Sequence, residues 1–277
     1  MGFIVNKLKQ IVAKIEARSR AIIEEKAPPN EAEEGRDLCE NSVTKSNSLA
    51  RGYYRFNLVE KRVMESLISQ LNPKSKDEFQ LQKLELKAVD YAKAFDVPEK
   101  VAYRDLDKAV SGLMHRVFSV AHPKGREEFT LMSNAQYLEG EGRITCSFNA
   151  YVTPHLVGLR QRFSKYPLRI TANFKSSYTW RIFEILVSWA KDPKLTDGIL
   201  AGWCTIEVEE LRQMLGVPDS YLWGVFEKRA LKVAQKELLE KASIQLDIER
   251  IKTGRKITHL KFTFAATEKA LPFAAEL

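Results

Sequence analysis

The sequence predicts an α+β fold in which one unit, two helices and a turn followed by a third helix and a β-hairpin, occurs twice. The first observation is a helical pattern that starts at Leu222 and continues into two strands of alternating hydrophobicity. The second is a basic turn, Lys252-Thr-Gly-Arg-Lys256, between those strands. The third is a 120-residue spacing between Val97-Pro98 and Val217-Pro218, whose flanking patterns align. Helix, strand, basic turn and strand are typical of a winged-helix module, so we expect two winged-helix domains related by internal duplication.

The residues before the first copy have a different character. Isoleucine and leucine recur with 4–3 spacing from Ile4 to Ile22, which predicts an amphipathic helix. Residues 24–46 are rich in glutamate and contain Pro28 and Pro29, which predicts an acidic, disordered linker. We therefore divide the chain into an N-terminal helix and linker (1–46), a first winged helix (47–152), a connector (153–175), a second winged helix (176–266) and a C-terminal tail (267–277).

The first copy contains three predicted helices and a hairpin. Asn57 can cap a helix that runs to about Leu71. Asp96 and Glu99 have capping-box spacing at the start of the third helix. The helices are predicted at 57–71, 88–95 and 100–116, an extended segment at 117–120, and the hairpin strands at 128–138 and 143–151.

The connector and the second copy follow. Pro154 to Phe163 is predicted to be a helix that joins the domains, and Tyr166 to Ile170 to be extended. The second copy then repeats the order of the first, with helices at 176–190 and 207–215, a strand at 203–206, the long helix from Leu222, and strands at 243–251 and 257–264.

The long helix of the second copy has an apolar face and a basic face. At about 100° per residue, Leu222, Phe226, Ala230, Val233, Ala234 and Leu238 are predicted to face inward. Cations with long side chains follow the other side, and the turn of the hairpin adds three more. This arrangement suits a helix in the major groove of DNA with a wing against the phosphate backbone. The predicted contacts are Lys228, Arg229, Lys232 and Lys236 on the helix, and Lys252, Arg255 and Lys256 on the wing.

The first copy is a weaker candidate for reading DNA. Its third helix presents Lys100, Arg104 and Lys108, with Asp105 and Asp107 between them. The turn of its hairpin holds Glu139 and Glu141, which repel phosphates and leave Arg143 as the expected wing contact. We therefore expect the second copy to provide most of the affinity, and the first copy to contact the backbone or another subunit.

Composition favours a cytoplasmic protein with a polyanionic partner. The formal net charge is +8. Three scattered cysteines give neither a disulfide framework nor a zinc site, so we expect no metal and no cofactor. No segment reaches the roughly 18 apolar residues of a membrane span. Dispersed histidines and the absence of any Gly-Lys pair argue against a rolling-circle nuclease and a nucleotide hydrolase, so we expect no enzymatic activity.

Several segments resemble the theta-type plasmid replication initiators of the RepE/π class. They are Gly158-Leu-Arg-Gln-Arg-Phe163, Tyr178-Thr-Trp-Arg-Ile-Phe-Glu-Ile-Leu186, Phe226 to Glu237, and Lys252 to Phe262. The resemblance covers about Asn47 to Phe264. It departs from the family at Glu237-Leu238-Leu239, where Glu-Ile-Asn is usual, and residues 1–46 match no part of the family pattern.

The resemblance implies a bacterial, plasmid-associated DNA-binding protein with tandem winged helices. Monomers of that family bind direct repeats, called iterons, in an origin, and act with the host replication initiator and the replicative helicase. Dimers formed through the first domain bind an inverted repeat and repress the initiator's own promoter. The family positions carried over are Lys228, Arg229, Lys232 and Arg255.

Three alternatives stay open at this stage. A dimeric winged-helix transcriptional regulator without an origin role would show the same DNA chemistry. A two-carboxylate nuclease would use the acidic helix start at Glu207, Glu209 and Glu210, although capping and the helix dipole explain these residues. A scaffold whose winged helices contact protein would lack salt-sensitive DNA binding.

Overall fold

The computed structural model describes residues 37–75, 83–138, 140–191 and 199–267, which fall within a unit that begins at Asp37. The amphipathic helix predicted from Ile4 to Ile22 and the tail from residue 268 lie outside the described residues. The end of the predicted linker is folded, which corrects the sequence prediction. Leu38–Glu40 is a 3-10 turn and Ser42–Ser46 is a strand, because this strand finds a partner about 120 residues later in the chain.

The helices and strands alternate along the chain. The helices are α1 Asn47–Ala50, α2 Leu58–Ile68, α3 Ala88–Phe95, α4 Glu99–Met114, α5 Thr153–Leu156, α6 Leu168–Ala172, α7 Ser177–Ser188, α8 Val208–Met214, α9 Trp223–Phe226 and α10 Lys232–Ala242, with a π turn Glu227–Leu231 between the last two. The strands are β1 Ser42–Ser46, β2 Leu84–Lys87, β3 Val117–His122, β4 Gly125–Thr130, β5 Met132–Leu138, β6 Arg143–Phe148, β7 Phe163–Pro167, β8 Ala201–Glu207, β9 Ile244–Thr253 and β10 Lys256–Ala266.

The two copies have the same topology. The first contains α2, β2, α3, α4 and a sheet in the order β2-β6-β5; the second contains α7, β8, α8, the long helix and a sheet in the order β8-β10-β9. Both sheets place the last strand of the copy in the centre. The predicted α+β fold with two winged helices is therefore confirmed, and the shared strand order supports an internal duplication.

The Val-Pro turns are also equivalent in detail. Asp96 and Gly216 both have left-handed backbone conformations, with φ of 49° and 60°. The Val97 amide donates to the Ala92 carbonyl at 3.1 Å, and the Val217 amide donates to the Arg212 carbonyl at 2.9 Å. Each turn thus closes the preceding helix with the same hydrogen bond.

Capping distinguishes the two helix starts of the first copy. The predicted cap of α2 is present as a capping box, in which Asn57 and Glu60 each accept a hydrogen bond from the other's backbone amide. The predicted cap by Asp96 is wrong. Pro98 precedes α4 without a side-chain cap, because Asp96 is used to end α3.

The first copy has an additional hairpin between α4 and β5. Strands β3 and β4 pair with each other and form a separate two-stranded sheet. Residues 128–130, predicted as part of the wing, belong to β4, and the wing strand begins at Met132. The alternating pattern runs across Leu131, so the sequence alone did not show this boundary.

The helix predicted from Pro154 to Phe163 in the connector is present only at its start. Helix α5 ends at Leu156, and the chain then passes through left-handed residues Gly158 and Arg162, with φ of 64° and 53°. Strand β7 follows and pairs antiparallel with β1. Ile170, predicted as extended, lies in α6. The connector is thus built into a sheet with the segment that precedes the first copy.

A buried ionic cluster joins the first helices of the two copies. Lys61 and Glu65 lie on α2, Arg181 and Glu184 lie on α7, and Lys45 comes from β1; all five side chains are buried. The Lys61 ammonium lies 2.6 Å from both carboxylates. Lys45 pairs with Glu65 at 2.7 Å, and Arg181 pairs with Glu184 at the same distance. Lys61 and Arg181 are 120 positions apart, so the cluster joins equivalent faces of the duplicated helices.

Burial affects the protonation of this cluster. It lowers the pKa of Lys61 to about 8, although Glu184 and Glu65 oppose this change. Burial alone would raise the pKa of Glu184, but Lys45, Lys61 and Arg181 hold it well below its usual value. The hydroxyl groups of Tyr54 and Tyr166 also donate to Glu184, at 3.2 and 2.9 Å. Both carboxylates are therefore fully paired.

Candidate nucleic-acid interface

The long helix of the second copy, residues 223–242, is continuous but not regular. Its buried face consists of Phe226, Ala230, Leu231, Ala234, Leu238 and Ala242. Adjacent residues Ala230 and Leu231 are both buried because the π turn adds a residue to that turn of the helix. The prediction that Leu222 faces inward is wrong, since 78% of its surface is exposed; Val233 is only partly buried.

Side-chain hydrogen bonds fix this helix in place. The Glu237 carboxylate accepts hydrogen bonds from the backbone amides of Lys175 and Ser176, at 3.0 and 3.2 Å, at the start of α7. The Gln235 side-chain amide donates to the Leu246 carbonyl of β9 at 3.0 Å. These hydrogen bonds fix the helix against the start of α7 on one side and against strand β9 of the wing on the other.

The four predicted cations on this helix are all exposed. Among the described residues, no carboxylate lies within 4 Å of the ammonium groups of Lys228 and Lys232. Lys236 is 3.9 Å from Glu240, a weak and exposed pair. The helix therefore presents positive charge that the chain itself leaves largely uncompensated.

Arg229 is held by an aromatic side chain. Its guanidinium donates to the Tyr221 hydroxyl at 2.9 Å and lies 5.3 Å from the centre of the Tyr221 ring. The other guanidinium N–H groups have no partner among the described residues. A guanidinium that is fixed on one side in this way can present a planar pair of donors, the geometry that recognises guanine in a major groove.

The wing has the predicted basic turn. Strands β9 and β10 extend to Thr253 and Lys256 and leave Gly254 and Arg255 as a two-residue loop. Gly254 has a φ of 62°, a conformation that favours glycine and suits a tight hairpin. Lys252, Arg255 and Lys256 are exposed, and among the described residues none of them has an ion-pair partner.

The wing is connected to the start of the helix. Arg250 of β9 forms an ion pair with Glu227, and its guanidinium lies 5.8 Å from the centre of the Trp223 ring. This contact neutralises the acidic residue that precedes Lys228. It also couples the position of the wing to that of the helix, so that the seven predicted cations of the second copy lie on connected elements.

Sequence analysis missed two apolar side chains next to this basic surface. Leu222 and Val225 lie at the N-terminal end of the long helix and are 78% and 37% exposed. The hydrophobic periodicity placed Leu222 in the core. Leu222 lies at the N-cap position, before the first residue of the helix, and the periodicity of the helix does not apply there. Recognising this position, where polar residues are preferred, would have indicated that Leu222 is outside the core.

The first copy presents its predicted cations differently. Lys100, Arg104 and Lys108 are exposed on α4, but Arg104 is 3.2 Å from the Asp105 carboxylate. Tyr103 is 39% exposed and covers Gly142, where a Cβ atom would lie 2.2 Å from the ring. The space at Gly142 is thus occupied by a side chain of the helix.

Arg143 has carboxylate partners on two sides. Its guanidinium pairs with Glu85 of β2 and with Glu141 of the turn, the latter at 2.5 Å. Glu139 lies outside the described residues. The predicted phosphate contact of the first wing is therefore neutralised within the protein, which argues against this role. The sequence did not show the pairing with Glu85, which is 58 residues away.

Two other properties of the described residues bear on function. Residues 37–75, 83–138, 140–191 and 199–267 contain no group of three or more His, Cys, Asp or Glu side chains that could hold a metal ion. In the same part of the chain, no helix combines the length and the apolar character needed to cross a membrane.

Comparisons with known proteins agree with the topology. The family model of the initiator replication protein, WH1, matches residues 42–187, and the model of the initiator Rep protein, WH2, matches residues 207–264. The first match includes α7, which the sequence prediction assigned to the second copy.

One solved structure has the same fold. The crystal structure of the Pi initiator protein in complex with iteron DNA aligns with a TM-score of 0.69 and 19% identity, covering 83% of this chain and 98% of that chain. A WH1 domain of a replication protein isolated from a multiple sclerosis patient aligns at 24% identity over 36% of this chain and 77% of that chain, with a TM-score of 0.27 that is too low to support an argument. Since the WH1 model alone matches more than half of the sequence, the chain belongs to the family of initiator replication proteins with two winged-helix domains.

Proposed function

We propose that this protein initiates the replication of a bacterial plasmid by binding iterons in its origin as a monomer. The observation that carries the proposal is the basic surface of the second winged helix, where Lys228, Arg229 and Lys232 are exposed beside the wing cations. A helix for the major groove and a wing for the backbone are the two contacts that winged-helix proteins need. The Pi initiator protein, whose fold this chain shares, has been crystallised with iteron DNA.

We further propose that a dimer represses the initiator's own promoter by binding an inverted repeat. The first winged helix supports a role in dimer formation, because Arg143, the cation of its wing, is neutralised by Glu85 and Glu141. A wing with balanced charge contributes little to DNA binding and is available to a second subunit. Host replication initiator and replicative helicase are the proposed partners at the origin.

Titration of the purified protein onto direct repeats from its own plasmid tests the first proposal. A shuffled duplex of the same composition is the control, and the titration is repeated at several salt concentrations. We expect one specific complex for each repeat and a steep loss of affinity with salt, because each phosphate contact releases counterions. Equal affinity for the shuffled duplex would remove the initiator proposal.

The regulator alternative is tested separately. We expect the protein to support replication of an origin plasmid in trans, and to reduce expression from its own promoter. Light scattering at increasing protein concentration measures whether monomer and dimer are in equilibrium. Repression without replication would favour the dimeric regulator.

A further inference from the structure

The start of the long helix carries exposed apolar side chains that the fold does not use. Leu222 is 78% exposed, the highest exposure among the large hydrophobic residues that the structure describes, and Val225 is 37% exposed. Between them, Gly224 has open space around the position of a Cβ atom. Burial of apolar surface therefore does not account for Leu222 in the free protein, and it accounts for Val225 only in part.

Helix stability does not account for Leu222 either. Leu222 occupies the N-cap position, with an extended backbone (φ −64°, ψ 163°), and its carbonyl accepts from the Val225 and Phe226 amides. Serine, threonine, aspartate and asparagine are preferred here because their side chains accept a hydrogen bond from the first turn. Leucine provides no such bond, and no side-chain cap is present.

The apolar residues continue the basic stripe of the same helix. Leu222, Val225, Arg229, Lys232 and Lys236 follow one another at spacings of three, four, three and four residues, and all five are exposed. The π turn Glu227–Leu231 adds a residue within this stretch, so the exposure of all five, and not their spacing alone, places them on the solvent side of the helix. A DNA duplex that lies against the cations consequently also meets Leu222 and Val225.

Major grooves offer one apolar group to such residues. The C5-methyl group of thymine is the apolar feature that distinguishes base edges there, and the N-terminal residues of a recognition helix are those that contact base edges. We propose that Leu222 and Val225 contact thymine methyl groups and select thymine at defined positions of the bound repeat. This inference rests on the proposed function, because it requires that the long helix enters the major groove.

Deoxyuridine provides a direct test, since it removes the methyl group and keeps the hydrogen-bonding pattern of thymine. Each thymine of a repeat from the protein's own plasmid is replaced in turn, and the dissociation constant is measured for each duplex. For the native protein we expect binding to weaken about fourfold for each contacted methyl group. Leu222→Ala and Val225→Ala should each remove the sensitivity at one position.

Leu239→Ala is the matched control. Leu239 is also an exposed leucine on this helix, 46% exposed, but lies near the C-terminal end. We expect this variant to keep the sensitivity of the native protein at every thymine. A further variant, Leu222→Ser, introduces a side chain that can cap the helix. We therefore expect its Tm to rise while its affinity for the repeat falls.

The outcomes separate the inference from the proposed function. If the native protein does not prefer its repeats over a shuffled duplex, both fail. If it binds the repeats specifically but no deoxyuridine weakens binding, only the thymine contact is overturned. Equal sensitivity of native protein and both alanine variants would overturn it too, because the methyl effect would then arise elsewhere. A lower Tm of Leu222→Ser would overturn the premise that the fold does not use Leu222, and the inference for this residue with it.

Discussion

The two winged helices share their strand order and Val-Pro turn but differ in the charges they expose. In the first, Arg143 pairs with two carboxylates and Arg104 pairs with Asp105. In the second, Lys228 and Lys232 have no acidic partner among the described residues, and the wing tip is basic. The two copies thus share their topology, while a few exposed residues give their surfaces different charge.

The helices at these surfaces also differ in regularity. Helix α4 is a regular helix of 16 residues, whereas the long helix of the second copy contains a π turn. That turn changes which residues face outward, and it lies at Lys228 and Arg229 themselves. Because π turns occur frequently at functional sites, this position agrees with the proposal that the second copy reads DNA.

The largest expected effect comes from breaking the cluster that joins the copies. Glu184→Ala leaves Lys45, Lys61 and Arg181 buried with one carboxylate, Glu65. We expect a loss of about 3–5 kcal/mol in the free energy of unfolding, because uncompensated buried charge is costly. Urea denaturation measures it. Glu240→Ala, which removes an exposed carboxylate, is the control and should change stability by less than about 0.5 kcal/mol.

Two buried cysteines report whether the copies unfold together. Cys146 lies in the first sheet and Cys204 in the second, and burial raises the pKa of both thiols to about 12. Labelling near pH 8 therefore requires opening of the sheet. For the native protein we expect the same urea dependence at both sites. Clearly different midpoints would show that the cluster does not make the copies one cooperative unit.

The next largest effect concerns base reading by the second copy. Arg229→Ala and Lys232→Ala should each cost about 1–3 kcal/mol in binding to the native repeat if they remove a base contact. Discrimination against a shuffled duplex should fall as well. Lys241→Ala removes the same charge from the last turn of the helix and serves as the control. Losses below a few tenths of a kcal/mol for both variants would indicate a solvated basic face.

A smaller effect is expected from the helix of the first copy. Lys100→Ala and Lys108→Ala should weaken binding to native and shuffled duplexes alike, because backbone contacts do not depend on sequence. The slope of log affinity against log salt should decrease by about 1 for each lost phosphate contact. An unchanged slope for both variants would assign this surface to a contact other than DNA. Lys93→Ala on α3 is the matched control.

The smallest effect is expected at the wing of the first copy. Arg143→Ala should change DNA affinity by less than about twofold, since two partly exposed ion pairs already occupy this guanidinium. Replacing both partners, Glu85→Gln with Glu141→Gln, should free the guanidinium and increase affinity at low salt. A strong loss of binding in Arg143→Ala would instead support the original prediction of a phosphate contact.

The local elements follow from the sequence. Hydrophobic periodicity placed α3 at Ala88–Phe95 as the structure has it, and the alternating pattern predicted both strands of the second wing. Asn57 was recognised as a cap, and the 120-residue repeat indicated the duplication. Each of these signals compares residues that are close in the chain or related by a constant offset, so no knowledge of tertiary contacts is needed.

Only the tertiary structure decided the rest. Leu222 faces solvent because the helix begins after it, Arg143 is neutralised by a carboxylate 58 residues away, and Glu184 meets Lys45 across 139 residues. The sequence analysis assigned strand β1 to a disordered linker. Its pairing partner β7 lies in the connector, about 120 residues later, so no local pattern indicated that β1 is a strand. Side-chain periodicity determines which face of an element is apolar, but the charges and strands that oppose that element depend on how distant segments pack together.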